Sequence, residues 1–247
     1  MWKIGTDHMD AAKKNFDEFT WQTRVMPVIV VAIPLFLAAV AKGFTFPSLP
    51  ETGFMVVIIV AVLSLLYRLG RNLGKKCETR MVSRLGAMPT TILLRFSDAR
   101  ISTVSKQHYH QRINEVYALH LPLEPVAERP EDDEQYDAAA RSLKNRANFD
   151  RSTEFRVYQE LKEYHYFRNL HGIKPIAIII YAVLAVREIM LIPNFSLKAL
   201  FLTPIPDYLS FAMFLFAIVL CCLVTTKAVE ERAFSYAIAL IETCERI

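Results

Sequence analysis

Glycine and cysteine are scarce in this chain, at 7 and 4 of its 247 residues, and only 22% of the residues carry charge. Such a composition excludes collagen-like and disordered chains, and four scattered cysteines exclude a disulfide scaffold. Short catalytic signatures are missing too: there is no GxSxG, Walker loop, GxGxxG, HExxH or CxxC. With Gly70, Gly74, Gly86 and Gly172 as the only glycines of the middle segment, a phosphate cradle built of glycine is not expected. What the chain has instead is apolar surface. Hydrophobic residues make up 53% of it, and they clump rather than alternate with polar ones.

Four apolar blocks stand out. The first, Val25 to Ala41, is fenced by Arg24 and Lys42 and contains no charge; as a helix it spans roughly 25 Å, the low end of a hydrocarbon core. The second, Phe54 to Leu66, is short and is extended by Tyr67 and Leu69 before Arg68 and Arg71 stop it. The third, Pro175 to Ile192, is interrupted by Arg187 and Glu188, and the fourth, Tyr208 to Thr226, is charge-free. The pattern predicts an all-α membrane protein with four transmembrane helices and a mainly helical cytoplasmic domain inserted between spans two and three. Core helices of a soluble all-α protein are the competing reading. No cleavable signal peptide is expected, because Asp7, Asp10, Asp17 and Glu18 precede the first apolar run.

Basic residues set the orientation. Arg68, Arg71, Lys75, Lys76, Arg80 and Arg84 follow the second block, and Arg156, Lys162, Arg168 and Lys174 precede the third, whereas segments 43–52 and 193–207 share a single Lys198. The long middle loop and both termini are therefore expected inside. The expected organisation is an N-terminal segment 1–24, a transmembrane hairpin 25–69, a basic cytoplasmic ligand-binding domain 70–172, a second hairpin 173–226 and a cytoplasmic C-terminal helix 227–247.

The middle is a domain rather than a linker. Residues 68–174 carry 19 Lys and Arg against 14 Asp and Glu, so the whole positive excess of the chain lies there, beside an anionic leaflet. Three stripes predict amphipathic helices: Tyr109, Ile113, Val116 and Tyr117; Tyr136, Ala139, Ala140, Leu143 and Ala147; Phe155, Tyr158, Leu161 and His165. The acidic, proline-bearing run 124–137 reads as an exposed connector, and Thr91 to Phe96 fits a strand or a helix equally. A wide apolar stripe at Val229, Ala233, Tyr236, Ala237, Leu240 and Cys244 must cover either its own cytoplasmic domain or a symmetry mate.

Candidate chemistry is sparse. His108 and His110 point apart on a helix, so they cannot chelate one ion unless the segment is extended. No cofactor is expected. Asp98, Asp150 and Glu154 are acids that serve equally as caps or surface groups. Thr90 and Thr91, just after Pro89, can open a helix whose end attracts anions, with Arg95 a turn further on. Tyr164, Tyr166 and Phe167 alternate with His165, Arg168, Asn169 and Lys174, which suits either base stacking with phosphate neutralisation or an interfacial aromatic belt. Arg187 and Glu188 face a pore, a subunit contact or the outer interface. Being adjacent, they make an awkward direct pair. Ser64, Thr225 and Thr226 are the polar residues available to a pore.

The order of two spans, a basic domain carrying GAMPTTILLR (86–95), KQHYH (106–110) and EYHYFRNLHGIKP (163–175), then two more spans, resembles the four-span membrane effectors of the Hailong anti-phage defence family, over residues 20 to 226. The resemblance implies a homotetrameric ion channel in the bacterial inner membrane. Its cytoplasmic domain would bind a single-stranded DNA oligomer, or another nucleotide signal, made by a companion nucleotidyltransferase. The ligand would hold the channel closed and its loss would depolarise the cell. Arg95, Lys106, Tyr109, His110, Tyr166, Arg168 and Asn169 lie in the matching motifs and are the implied ligand-binding residues. A non-conducting scaffold and a membrane-bound enzyme acting on nucleotide or lipid phosphates are the alternatives.

Overall fold

The computed structural model describes residues 18–41, 49–125, 133–149, 153–190 and 209–246. Among these residues every regular element is helical. A π-turn at Trp21–Val25 leads into α1 (Met26–Ala41), and then come α2 (Leu49–Leu85), α3 (Pro89–Leu94), α4 (Thr103–Tyr117), α5 (Asp133–Phe149), α6 (Phe155–Met190), α7 (Leu209–Leu223), α8 (Thr226–Ile241) and a closing 3-10 turn, Glu242–Arg246. Residues 1–17, 42–48 and the whole of segment 193–207, Lys198 included, lie outside the described residues.

Two helical stretches are long and apolar enough to cross a membrane, Glu18–Val40 and one that starts at Val56; α7 and α8 supply a third if that bent pair counts as one span. Of the four expected spans, two to three are thus present as spanning helices. The third block is the exception. It lies in α6, which is not among the candidate spanning helices, and Ile192 lies outside the described residues. The helix that carries the second block does not end with it: α2 continues past Arg68 and Arg71 to Leu85. A charge halts burial in lipid, but arginine, lysine, leucine and glutamate are all good helix formers, so the helix itself runs on.

The chain forms two compact units, residues 1–77 with 165–228 and residues 78–164 with 229–247. The first unit holds the apolar helices. Its core joins Val28 and Val31 of α1, Leu170, Ile173, Ala177 and Tyr181 of α6, and Ala217 and Leu220 of α7. Tyr181 donates its hydroxyl to the Val31 carbonyl at 2.5 Å, so this polar atom stays bonded within an apolar core. The apolar part of α2 is different: Val56, Val57, Ile59, Val60 and Leu65 are all exposed, and only 6% of its most apolar stretch is buried, against 22% for Glu18–Val40. Leu63, Leu66 and Tyr67 pack against the core of the unit, but an apolar helix face left uncovered by the described residues needs lipid or another subunit.

Within this unit α2 and α6 cross at three glycines. A Cβ added to Gly172 would lie 2.5 Å from the Gly74 nitrogen and 2.8 Å from the Gly70 carbonyl oxygen, closer than real carbons approach. Gly70, Gly74 and Gly172 are therefore the small-residue crossing of two helices.

The second unit wraps α3, α4, α5, α8 and the closing turn around Leu93, Leu94, Ile113, Tyr136, Leu143, Leu240 and Ile241. Thr91 and its neighbours resolve as helix, opened by Pro89 at its first turn. The α5 stripe is largely buried, but two stripes rotate. On α4, Val116 is 43% exposed, and Lys106 and His110 join Tyr109 and Ile113 inside. On α6, Phe155 is 60% exposed while Val157, Tyr158 and Lys162 turn inward. In both cases the buried face includes charged or polar side chains that find carbonyl, aromatic or acidic partners, which an apolar count overlooks. The connector is shorter than expected, since α5 begins at Asp133 with Asp133 and Glu134 in its first turn, where acids favour the helix dipole. The C-terminal stripe covers its own unit: Val229, Ala233, Ala237, Leu240 and Cys244 are each under 5% exposed.

Candidate ligand site

Four of the implied ligand residues fall in the second unit: Arg95, Lys106 and His110 meet at the end of α3, and Tyr109 reaches the closing turn. Arg95 follows α3, and its guanidinium grips Asp133 with two donors, Nε to Oδ1 at 2.9 Å and Nη2 to Oδ2. Lys106 is 1% exposed and its ammonium donates to the backbone carbonyls of Arg95 and Asp98, so α4 is anchored to the loop after α3. His110 is fully buried. Its Nε2 lies 2.9 Å from the Leu94 carbonyl oxygen and its Nδ1 lies 2.6 Å from that of Pro122, while its ring meets Phe96 edge to face at 5.1 Å. A neutral imidazole donates only once, so both contacts are hydrogen bonds only in the imidazolium form. Tyr109 donates to Glu245 Oε1 at 3.0 Å; burial first, and this bond second, push its phenol up to about 12.

The motif KQHYH places Lys106, Tyr109 and His110 at i, i+3 and i+4, on the inner face of α4. Each reaches a different neighbour. Of the four residues, Arg95 is the one whose side chain retains appreciable solvent contact, at 23%. The expected anion attraction at the start of α3 has an internal answer, since the Thr91 hydroxyl donates to the Asp137 carboxylate.

Tyr166, Arg168 and Asn169 fall in the first unit instead. Arg168 and Asn169 are buried, and Tyr166 is half-buried against Phe167 at 5.6 Å. Asn169 Nδ2 donates to the Thr23 carbonyl at 2.7 Å, inside the π-turn, whose wide register leaves carbonyls that need outside donors. Its Oδ1 is buried without a hydrogen bond. Further along α6, Lys174 donates to the Val224 carbonyl at 2.7 Å, at the end of α7, where a cation complements the helix dipole.

Of the residues expected at a pore, Ser64 is exposed on α2, and Thr225 caps α8 by accepting the Ala228 N–H at 3.1 Å, with Thr226 exposed beside it. Arg187 and Glu188 do pair directly, at 3.1 Å. Their Cα–Cβ bonds diverge by about 100°, but the long arginine stem bends back far enough to close the gap. Arg187 is 61% exposed and the Glu188 side chain 10%.

His108 is exposed on α4, away from His110, and among the described residues no group of three His, Cys, Asp or Glu is placed to hold a metal. Asp98 accepts from the Arg100 backbone at 2.9 Å and its guanidinium at 3.1 Å. Glu154, 6% exposed, takes two donors from Arg246 and ties the start of α6 to the closing turn. Sequence reasoning missed this pair because the partners are 92 residues apart. It also missed the glycine crossing, although a small-xxx-small pair at Gly70 and Gly74 was visible.

The class that this fold defines is an all-helical protein with two compact units and two to three helices fit to cross a membrane. Comparison of the chain with protein-family models, curated proteins and solved structures finds no match.

Proposed function

We propose that the chain is a subunit of an ion channel in the bacterial inner membrane, an effector of anti-phage defence gated by a nucleotide or single-stranded DNA oligomer bound to its basic cytoplasmic unit. In this reading each subunit crosses the membrane four times with both termini inside, four copies enclose the pore, and loss of a ligand made by a companion nucleotidyltransferase opens it and aborts infection. One observation carries the reading furthest. Most of the apolar stretch of α2 is exposed, with Leu63, Leu66 and Tyr67 packed on their own unit, so among the described residues the larger part of a spanning helix is left uncovered. The resemblance of residues 86–95, 106–110 and 163–175 to the effector family supplies the ligand class. A ligand that moves the closed population from 1:99 to 99:1 must favour that state by ~5.5 kcal/mol.

The deciding experiment is purification of the full chain after co-expression with its genomic neighbour, followed by absorbance at 260 and 280 nm, mass spectrometry of nuclease-sensitive material, and ion flux from liposomes. Bound oligonucleotide together with flux that changes on nuclease treatment supports the channel. Liposomes that never leak under any ligand condition overturn it in favour of a non-conducting scaffold, a reading favoured by the internal engagement of Lys106, Tyr109 and His110.

A further inference from the structure

At the end of its apolar stretch, α2 carries a cavity of about 400 Å³ lined by Tyr67, Arg68, Arg71 and Asn72. Its chemistry is one-sided. From Thr52 to Cys77 the helix contains no acid, so neither arginine has a carboxylate within one turn along it, and neither forms an ion pair among the described residues. A third cation closes in from α1's side of the same unit: Arg24 Nη1 donates to the Tyr67 hydroxyl at 3.1 Å, with its guanidinium 6.0 Å from the ring centre. Uncompensated guanidinium groups at a polar cavity favour a bidentate oxyanion.

The position narrows the oxyanion. Leu65, Arg68, Leu69 and Asn72 follow the i, i+3, i+4, i+7 spacing of a single helix face, and Leu65 and Leu69 are 59% and 37% exposed. An apolar strip therefore leads directly into the basic cavity. With α2 placed across a membrane, this turn is where the helix leaves hydrocarbon, and tyrosine and arginine are the residues that anchor that boundary.

We propose that this cavity is a headgroup site for an anionic phospholipid, with Arg68 and Arg71 holding the phosphate, Tyr67 and Asn72 bonding the headgroup, and acyl chains lying along Leu65 and Leu69. The proposal rests on the membrane placement of α2 alone and is independent of conduction and of the nucleotide ligand. A soluble phosphate ester shares the headgroup chemistry but gains nothing from the leucine strip.

The test is native mass spectrometry of the full chain released from nanodiscs of phosphatidylcholine with and without phosphatidylglycerol. Wild-type protein retains phosphatidylglycerol in preference, and Arg68→Gln with Arg71→Gln weakens that preference about fivefold per arginine. Arg68→Lys with Arg71→Lys, which keeps the charge and loses the fork, falls between. If the double glutamine variant does not fold, as judged by circular dichroism, Asn72→Ala at its exposed position must lower retention in its place. Equal retention by wild type and the folded variants overturns the proposal. So does equal binding of glycerol 3-phosphate in pure phosphatidylcholine discs, which makes the ligand a soluble ester, and so does displacement of bound lipid by a short single-stranded DNA, which assigns the cavity to the nucleic acid.

Discussion

Gly172 of α6 meets Gly74 of α2 backbone to backbone: a Cβ on Gly172 would lie 2.5 Å from the Gly74 nitrogen. Nothing at that point is a flexible side-chain end that can move aside. By contrast, a Cβ on Gly70 would find its nearest neighbours at 3.7 Å, ordinary contact.

The two glycines therefore respond differently to the same methyl group. Gly172→Ala is expected to cost about 1–3 kcal/mol through overpacking, while Gly70→Ala is neutral or stabilising by up to about 1 kcal/mol through helix propensity. Thermal unfolding of the two variants in one detergent checks the contrast. Equal midpoints for both would mean that the helices do not cross here.

Lys106 separates a structural from a ligand role in the basic unit. Lys106→Met removes the donor that serves the Arg95 and Asp98 carbonyls; the Arg95 carbonyl keeps the Asp98 N–H at 3.3 Å, so the cost falls mainly on the Asp98 carbonyl, at about 1–3 kcal/mol. A lowered melting temperature without added oligonucleotide is the expected outcome. Unchanged stability with weakened oligonucleotide binding, read by fluorescence anisotropy, would instead place the ammonium on the ligand.

Tyr109 makes the same unit sensitive to alkali. Its folded pKa of about 12 exceeds the ordinary value of 10.0, so its contribution is complete below pH 10 and is lost as pH rises towards 12. Over that window stability falls by about 1.4 kcal/mol per pH unit for this one group. Tyr109→Phe removes that slope from a denaturation series run between pH 9 and 12, at the cost of the bond to Glu245. An identical slope in wild type and variant would refute the assignment.

The C-terminal helix is an integral wall of its unit. Leu240 is 2% exposed among Leu93, Tyr109 and Ile113, so Leu240→Asp buries an unpaired charge and is expected to cost at least about 4 kcal/mol. Limited proteolysis reads it as rapid cleavage between residues 78 and 164. A variant that changes only the oligomeric mass and keeps protease resistance would make the stripe a contact between subunits.

The helical class was legible because apolar runs and a 3.6-residue period leave marks that neighbours do not erase. The α5 stripe from Tyr136 to Ala147 is the clearest case, with Tyr136, Ala139 and Leu143 each at most 1% exposed. The candidate site was less legible. Lys106, Tyr109 and His110 were singled out as unusual, which they are, but a sequence does not say whether an unusual polar residue waits for a ligand or already has a partner. Their partners are mainly backbone carbonyls and a C-terminal acid, and carbonyls belong to every residue, so they leave no pattern to read. For the same reason the motif at 163–175 did not betray that Tyr164 and its predecessors fold with one unit and His165 onwards with the other.

By itself the sequence determined what is local: which segments are helical, which are apolar enough for lipid, and where the positive charge concentrates. These follow from propensity, hydropathy and charge, properties of a residue and its near neighbours along the chain. The tertiary structure alone decided which face of α4 turns inward, that Asn169 serves the π-turn and that three glycines bring two helices into backbone contact. Each depends on partners the local pattern does not mark, backbone carbonyls for Lys106 and His110, Glu245 for Tyr109, Thr23 for Asn169 and Gly74 for Gly172, and contact energies of that kind exist only once the chain has folded.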